Sequence, residues 1–125
     1  MPEQKQFSVR FIKYVPDLLN RDTMTIGFFL FDQDKNVLCA KFTENWKRLE
    51  FVDVNADIEM LQCFAKEIED IARCSEAGAL VKQMEDSFSN QLQISPASTV
   101  LAESAAVAAS QLAEEHLLHP AIRAN

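Results

Sequence analysis

Alternating apolar and polar positions predict strands in the first third of the chain. Phe7 to Val15 alternates as a strand with one buried side and one mixed side. The buried side has Phe7, Val9 and Phe11, and the mixed side has Ser8, Arg10, Ile12 and Tyr14. Met24 to Phe31 has apolar residues at both odd-numbered and even-numbered positions, which is typical of a central strand that is covered on both faces. Val37 to Phe42 resumes the strand pattern after a polar turn. The connections favour an antiparallel meander of these three strands.

The second of these strands contains a glycine. Gly27 has no side chain to pack, so it indicates a bulge or a close approach by a neighbouring side chain. The other side chains are expected to alternate across the sheet. Met24, Ile26, Phe28 and Leu30 would then face one way, and Phe29 and Phe31 the other.

After the third strand the apolar period lengthens to between three and four. Trp46, Leu49 and Val52 are three residues apart, which predicts a short helical turn with the indole packed on the sheet. Asn55 or Asp57 can cap the helix that follows. The apolar stripe of that helix comprises Ile58, Leu61, Phe64, Ala65, Ile68, Ile71 and Ala72.

Three further elements are predicted in the second half. Ala77 to Ser89 has helical periodicity, and Gln91 to Ser95 alternates as a short edge strand that ends at Pro96. A last helix begins near Ser104 and is rich in alanine, so it has high helix propensity but little apolar area to bury. We expect it to lie close against its neighbour or to receive a partner.

These elements predict an α+β fold. The sheet would have about four antiparallel strands, a three-strand meander plus a later edge strand, packed with three main helices. A chain of 125 residues fits a single domain over residues 1–125, with flexible ends at 1–6 and 119–125.

Composition and charge narrow the class of protein. The N-terminus lacks a signal-peptide pattern and no apolar run approaches a membrane span, so a cytoplasmic protein is expected. The net charge is -7, with +1 on residues 1–50 and -8 on residues 51–125, which disfavours binding to phosphate backbones. Cys39, Cys63 and Cys74 have no CxxC spacing and are expected to be reduced packing residues.

The residue types that carry catalysis or hold cofactors are sparse. His116 and His119 are the only histidines, and they have no clustered ligand to complete a zinc shell. The paired carboxylates fall in a predicted turn or on solvated helix faces. Two glycines are too few for a phosphate-cradling loop. We therefore assign no catalytic residue, no metal and no cofactor.

Two stretches are explained less well by packing alone. They combine aromatic and arginine side chains at strand ends, which protein interfaces often use as anchors. Each can also be read structurally, as an indole that plugs the sheet and an Asp-Arg pair that fixes a loop. The candidate partner-binding residues are Tyr14, Pro16, Asp17 and Arg21 in the first stretch, and Asn45, Trp46 and Arg48 in the second.

At these stretches the chain resembles a family of small bacterial proteins known as a domain of unknown function, number three thousand and thirty-seven. The matching pieces, in the family's order, are KYVPD (13–17), TIGFFLFD (25–32), KFTENW (41–46), QIS (93–95) and VL (100–101). LNRDTMTIG departs from the family's usual Arg-Gly-Glu and Asn-Val-Gly pieces. The resemblance implies no established activity, but members are often encoded beside HipA-like kinases, which implies an accessory or regulatory role.

We therefore expect a non-catalytic interaction protein, an accessory or regulatory partner of a HipA-like kinase. Homo-oligomerisation stays open. One alternative is a small enzyme acting on a small polar or phosphorylated substrate, with Arg10, Asp17, Arg21 and Asn45 converging in a pocket. A second alternative is a nucleic-acid-binding module that uses an open sheet face with Tyr14 beside basic residues.

Overall fold

The computed structural model describes residues 4–15, 24–52, 57–74, 76–87 and 92–118. Within these ranges the strands form one antiparallel sheet. They are β1 (Lys5–Tyr14), β2 (Met24–Phe31), β3 (Val37–Phe42), β4 (Leu92–Ile94) and β5 (Ser98–Ala102). The order is β3-β2-β1, and β4 and β5 both pair with the far side of β1. The predicted meander and later edge strand, and with them the α+β class, are confirmed.

The far side of β1 is paired along most of its length by two short strands in succession. Tyr14 lies opposite Leu92 in β4, and Lys5 lies opposite Ala102 in β5. Between the two strands, Ser95 donates its N–H to the carbonyl of Phe11 (2.9 Å), and its Oγ accepts the N–H of Phe11 (2.8 Å). The Ser95 hydroxyl thus satisfies a donor that would otherwise be orphaned where the ladder is interrupted.

Two details of this region differ from the prediction. β5 was not predicted, because a five-residue strand that begins two residues after a proline resembles a loop. Residues 5 and 6 were expected to be flexible, yet they are paired with β5. The predicted flexible end at 119–125 lies outside the described residues.

A bulge at Gly27 changes the faces of β2. Ile12 pairs with Gly27 and Lys13 pairs with Thr25, so Ile26 is an extra residue in β2. The predicted bulge is confirmed, but the predicted alternation of side chains past Gly27 is wrong, because one inserted residue reverses the parity. One face carries Met24, Ile26, Phe29 and Phe31, and the other carries Phe28 and Leu30.

Helices cover both faces of the sheet. They are α1 (Lys47–Val52), α2 (Ile58–Ile71), α3 (Ala77–Ser87) and α4 (Ala105–Ala113), with a 3-10 turn at Ala72–Cys74 and a π-helical turn at Glu114–Leu118. The first three helices share one hydrophobic cluster with the sheet, which includes Leu49, Ile68 and Met84. The second cluster packs α4 and the π-helical turn on the opposite face through Ala108 and Leu117.

The sequence accounts for where α2 and α4 begin and which sides they bury. Asp57 caps α2 by accepting the N–H of Met60 at 3.1 Å, and Ser104 caps α4 in the same way. Leu61, Phe64, Ala65 and Ile68 of the predicted α2 stripe are buried. Each large apolar side chain in such a stripe contributes about 1.5–3 kcal/mol by leaving water. This burial holds α2 beside β3, where the candidate site lies.

Candidate protein-binding groove

A surface groove lies between the end of β3, the segment that follows it, and α2. Its volume is about 740 Å³. We call it the α2 groove, and its lining residues are Ala40, Lys41, Phe42, Thr43, Glu44, Trp46, Gln62, Ala65, Lys66 and Glu69. The base is apolar and buried at Phe42 and Ala65, whereas Lys41, Glu44, Lys66 and Glu69 are exposed. The groove therefore combines an apolar base with charged walls.

Hydrogen bonds fix the chain where it leaves β3. Thr43 is 5 % exposed and donates its N–H to the carbonyl of Ile26 at 2.7 Å, which continues the pairing with β2 by one residue. The Thr43 Oγ1 accepts the N–H of Asn45 at 3.1 Å. This local turn is a common use of threonine, and it sets the path of the next residues. The wall of the groove is thereby held against the sheet.

The opposite wall is joined to β3 by one side chain of α2. The Phe42 N–H points away from β2 and donates to Glu69 Oε2 at 3.0 Å. Phe42 itself packs edge-on against Phe64 of α2, with ring centroids 6.3 Å apart. The two walls are thus tied together by a backbone hydrogen bond and by a ring contact.

Trp46 supplies the largest side chain of the groove. It is half-buried and packs against the cluster that contains Phe42 and Leu49. Its carbonyl accepts the N–H of Leu49 at 3.1 Å at the start of α1. The predicted packing of the indole on the sheet side is confirmed, and the indole also lines the groove.

The charges of the groove are not neutralised within the part of the chain that the structure describes. Lys41, Lys66 and Glu44 form no ion pair there, and Glu69 is the carboxylate used by the Phe42 N–H. Exposed lysines and a glutamate without partners are available to pair with charges of a bound molecule.

Arg48 lies two residues beyond the indole and is half-buried. Its Nη1 atom is buried and has no hydrogen-bond acceptor among the described residues. Burial lowers the pKa of the Arg48 guanidinium below its ordinary value, but an arginine stays charged at neutral pH. A buried guanidinium N–H that lacks an acceptor destabilises the fold, and a hydrogen-bond acceptor placed beside it would reduce that cost.

The candidate partner-binding residues have different outcomes. Asn45 is exposed, and Trp46 and Arg48 are half-buried near it. Tyr14 is only 1 % exposed, so it is removed from the candidate surface. The reason is that helices cover this side of β1, where Tyr14 packs in the same cluster as the neighbouring core residues. Pro16, Asp17 and Arg21 lie outside the described residues.

The groove also contains residues that the sequence analysis did not select. They include Gln62, Lys66 and Glu69, which lie outside the predicted apolar stripe of α2. Their spacing of four and three places them along one helix side, but nothing local shows that this side meets the end of β3. The hydrogen bond from the Phe42 N–H to Glu69 shows that the two elements meet, and it joins residues 27 positions apart in the chain.

Other candidate chemistry is dispersed in the described part of the chain. It contains no group of three or more His, Cys, Asp or Glu residues that could hold a metal. The imidazole of His116 packs against the ring of Phe11, with the ring centroids 4.6 Å apart. His119 lies outside the described residues. Cys39 is half-buried, whereas Cys63 and Cys74 are exposed, so the predicted role as packing residues is wrong for these two.

The geometry also bears on the alternative of a nucleic-acid-binding sheet face. Ile12 and Tyr14 are 0 % and 1 % exposed, so neither presents a platform for stacking bases.

No helix in the described ranges is long and apolar enough to cross a membrane.

Comparisons with known proteins place the chain in a family but give no activity. No curated protein and no solved structure matches it. One family model, described as a protein of unknown function (DUF3037), matches residues 10–117. That match includes all of the α2 groove and most of the sheet. The chain therefore belongs to the DUF3037 family of proteins of unknown function.

Proposed function

We propose that this protein is a non-catalytic interaction protein that binds a protein partner in the α2 groove. The observation that carries the proposal is the half-buried Trp46, which lines a groove of about 740 Å³. Beside it lie Lys41, Glu44 and Lys66, which form no ion pair with any described residue. Protein interfaces combine a central aromatic anchor with a polar rim in this way.

The groove suits a protein segment better than a polyanion. Lys41 and Lys66 are accompanied by Glu44 and Glu69, so both signs of charge are present. A phosphate backbone would be repelled by the carboxylates and by the net charge of -7. A partner segment that carries both acidic and basic side chains can match them pair by pair, which supports specificity and association rate.

We infer from the family resemblance that the partner is a HipA-like kinase. Members of this family are often encoded beside such kinases, and products of neighbouring genes often act together. Binding in the α2 groove would make the protein an accessory or regulator of the kinase.

The direct test is a calorimetric titration of the purified protein with a purified HipA-like kinase from the same organism. Trp46→Ala removes the anchor, and an interface residue of this kind contributes about 2 kcal/mol or more, or roughly a 30-fold loss of affinity. Circular dichroism shows whether that variant remains folded, because Trp46 also packs against the core.

Charge reversal at two exposed lysines gives a test variant and a matched control, and neither change alters the core. Lys66→Glu changes an exposed residue in the groove, whereas Lys82→Glu makes the same change on α3, outside it. We expect Lys66→Glu to weaken binding about tenfold and Lys82→Glu to have no effect. Absence of binding, or equal effects of the two reversals, would reject the proposal.

A further inference from the structure

The sheet edge opposite the α2 groove is formed in part by β5. β3 forms one edge and β5 pairs with β1 at the other. The outer edge of β3 is partly closed, since Glu69 accepts the Phe42 N–H and Asn36 forms an isolated bridge with Glu76. Among the described elements, β5 is mainly in contact with β1 and α4, and neither pairs with its outer edge.

The register shows which backbone groups of β5 point outward. Both backbone groups of Phe11 bond to Ser95, so the odd-numbered residues of β1 direct their N–H and C=O groups towards β4 and β5. Val9, Phe7 and Lys5 pair with Ser98, Val100 and Ala102. The backbone groups of Thr99 and Leu101 therefore point away from β1.

These outward groups are self-complementary. Across a two-fold axis at Val100, Thr99 of one copy lies opposite Leu101 of the other, and the reverse holds as well. Each of these two pairs can exchange two N–H···O=C bonds, as in a regular antiparallel ladder. Four backbone hydrogen bonds would form without any change in the pairing of β5 with β1.

The flanking residues and charges fit this arrangement. Pro96 lacks an N–H and Ser104 begins α4, so the pairing segment is bounded at 97 and 103, symmetrically about Val100. Within it Ser98–Ala102 has no charged residue, and the single carboxylate, Glu103, falls opposite Ala97 of the second copy. Two copies of a chain with net charge -7 can therefore meet here without juxtaposed carboxylates.

Apolar exposure at the same edge adds to the argument. Leu101 is 56 % exposed, whereas Val100 and Ala102 on the other side of the strand pack against the cluster beneath α4. An uncharged edge strand with an exposed leucine lacks the features that usually block edge-to-edge pairing.

We propose that a second copy of this chain docks on the outer edge of β5, joining two sheets through antiparallel pairing about Val100. The contact is separate from the α2 groove and does not depend on the proposed function. The pairing is short, so the dimer is expected to be in exchange with the monomer rather than permanent.

The test combines sedimentation with hydrogen exchange on the full chain. Sedimentation velocity from about 1 to 500 µM spans the range in which small interfaces dissociate. Thr99→Pro removes an outward N–H but no bond to β1, and Leu101→Lys places a charge at the edge. Met60→Lys is the matched control, because Met60 is 52 % exposed on α2.

We expect a concentration-dependent dimer whose dissociation constant rises at least tenfold in both edge variants and is unchanged in Met60→Lys. The amides of Thr99 and Leu101 should become protected as concentration rises, whereas the Val100 amide is protected throughout by β1. A monomer at the highest concentration, a dimer insensitive to both edge variants, or concentration-independent exchange at these amides would overturn the proposal.

Discussion

Replacing Gly27 by alanine should destabilise the fold because a neighbouring strand occupies the space where a side chain would go. A Cβ atom there would lie 2.7 Å from Cδ2 of Phe42 and 2.9 Å from the carbonyl oxygen of Lys41. Carbon contacts are favourable at about 3.5–4.0 Å, so β3 would have to move by more than half an ångström. The close approach predicted for Gly27 is confirmed, and the glycine does not have a positive φ.

The expected magnitude follows from two opposing effects. Overpacking of this kind costs about 1–3 kcal/mol, and one of the two crowded atoms belongs to the backbone and cannot rotate away. Alanine also restricts the unfolded chain, which returns about 0.4–1 kcal/mol. The net loss should be about 1–2 kcal/mol, or a fall in Tm of roughly 4–10 °C for a chain of this size.

Gly78 provides the matched control. The three nearest atoms to an alanine Cβ at this position all belong to the exposed Glu76 side chain, with Oε1 at 2.9 Å. Oε1 also accepts the Gly78 N–H, but the end of a flexible side chain can shift with little cost. Gly78 is the second residue of α3, where alanine favours the helix by up to about 1 kcal/mol. Gly78→Ala should therefore be neutral or stabilising.

Urea unfolding followed by the fluorescence of the single tryptophan measures both variants. A cycle with Phe42→Ala isolates the ring contact, because Gly27→Ala should be less damaging, by about 0.5 kcal/mol or more, once the ring is absent. The argument from crowding would fail if the two alanine variants had equal stability, or if the cycle showed no coupling.

Three hydrogen bonds give further predictions. Glu69→Ala should reduce the free energy of unfolding by about 1–2 kcal/mol, because the Phe42 N–H loses its acceptor. Glu69→Gln retains a side-chain oxygen, so urea unfolding should show that it recovers most of this loss. Ser95→Ala should reduce stability by about 1 kcal/mol and accelerate hydrogen exchange at the Phe11 amide, with Ser95→Thr as the conservative comparison. Asp57→Ala should reduce the free energy of unfolding by about 1 kcal/mol through loss of the α2 cap and so lower Tm, while Asp57→Asn stays close to wild type. Equal Tm values for alanine and asparagine would contradict the capping argument.

Several elements of the fold were predictable because their signals are local. The bounds of β2 and β3 were correct, since both strands are apolar between polar breaks. Asp57, one of the two predicted caps, does cap α2, and the predicted stripe is buried, because capping and helical period depend only on neighbouring residues.

The errors arise where local pattern contains no information. Phe28–Phe31 are all apolar, so the sequence could not reveal that the bulge at Gly27 reverses their faces. Tyr14 looked like a surface aromatic because it shares a parity with Ser8 and Arg10, yet helices distant in sequence cover it.

The candidate site was predictable only in part. Asn45, Trp46 and Arg48 were selected because an aromatic and a basic residue at a strand end are conspicuous, and of these three only Trp46 lines the α2 groove. The wall formed by Lys66 and Glu69 was not, since these residues have the composition of any solvated helix side. A groove between two elements is defined by tertiary packing, and a single sequence shows no sign of that juxtaposition.

The pairing of β1 with β4 and β5 determines when the sheet can be completed during translation. The strand at Lys5–Tyr14 is synthesised first, but its far side is completed by residues 92–102. While the ribosome makes the intervening segments, that side of the nascent strand has exposed amides and carbonyls and is open to unwanted association. Release of the C-terminal third is therefore required before this region closes, and contacts so distant in sequence make closure slow.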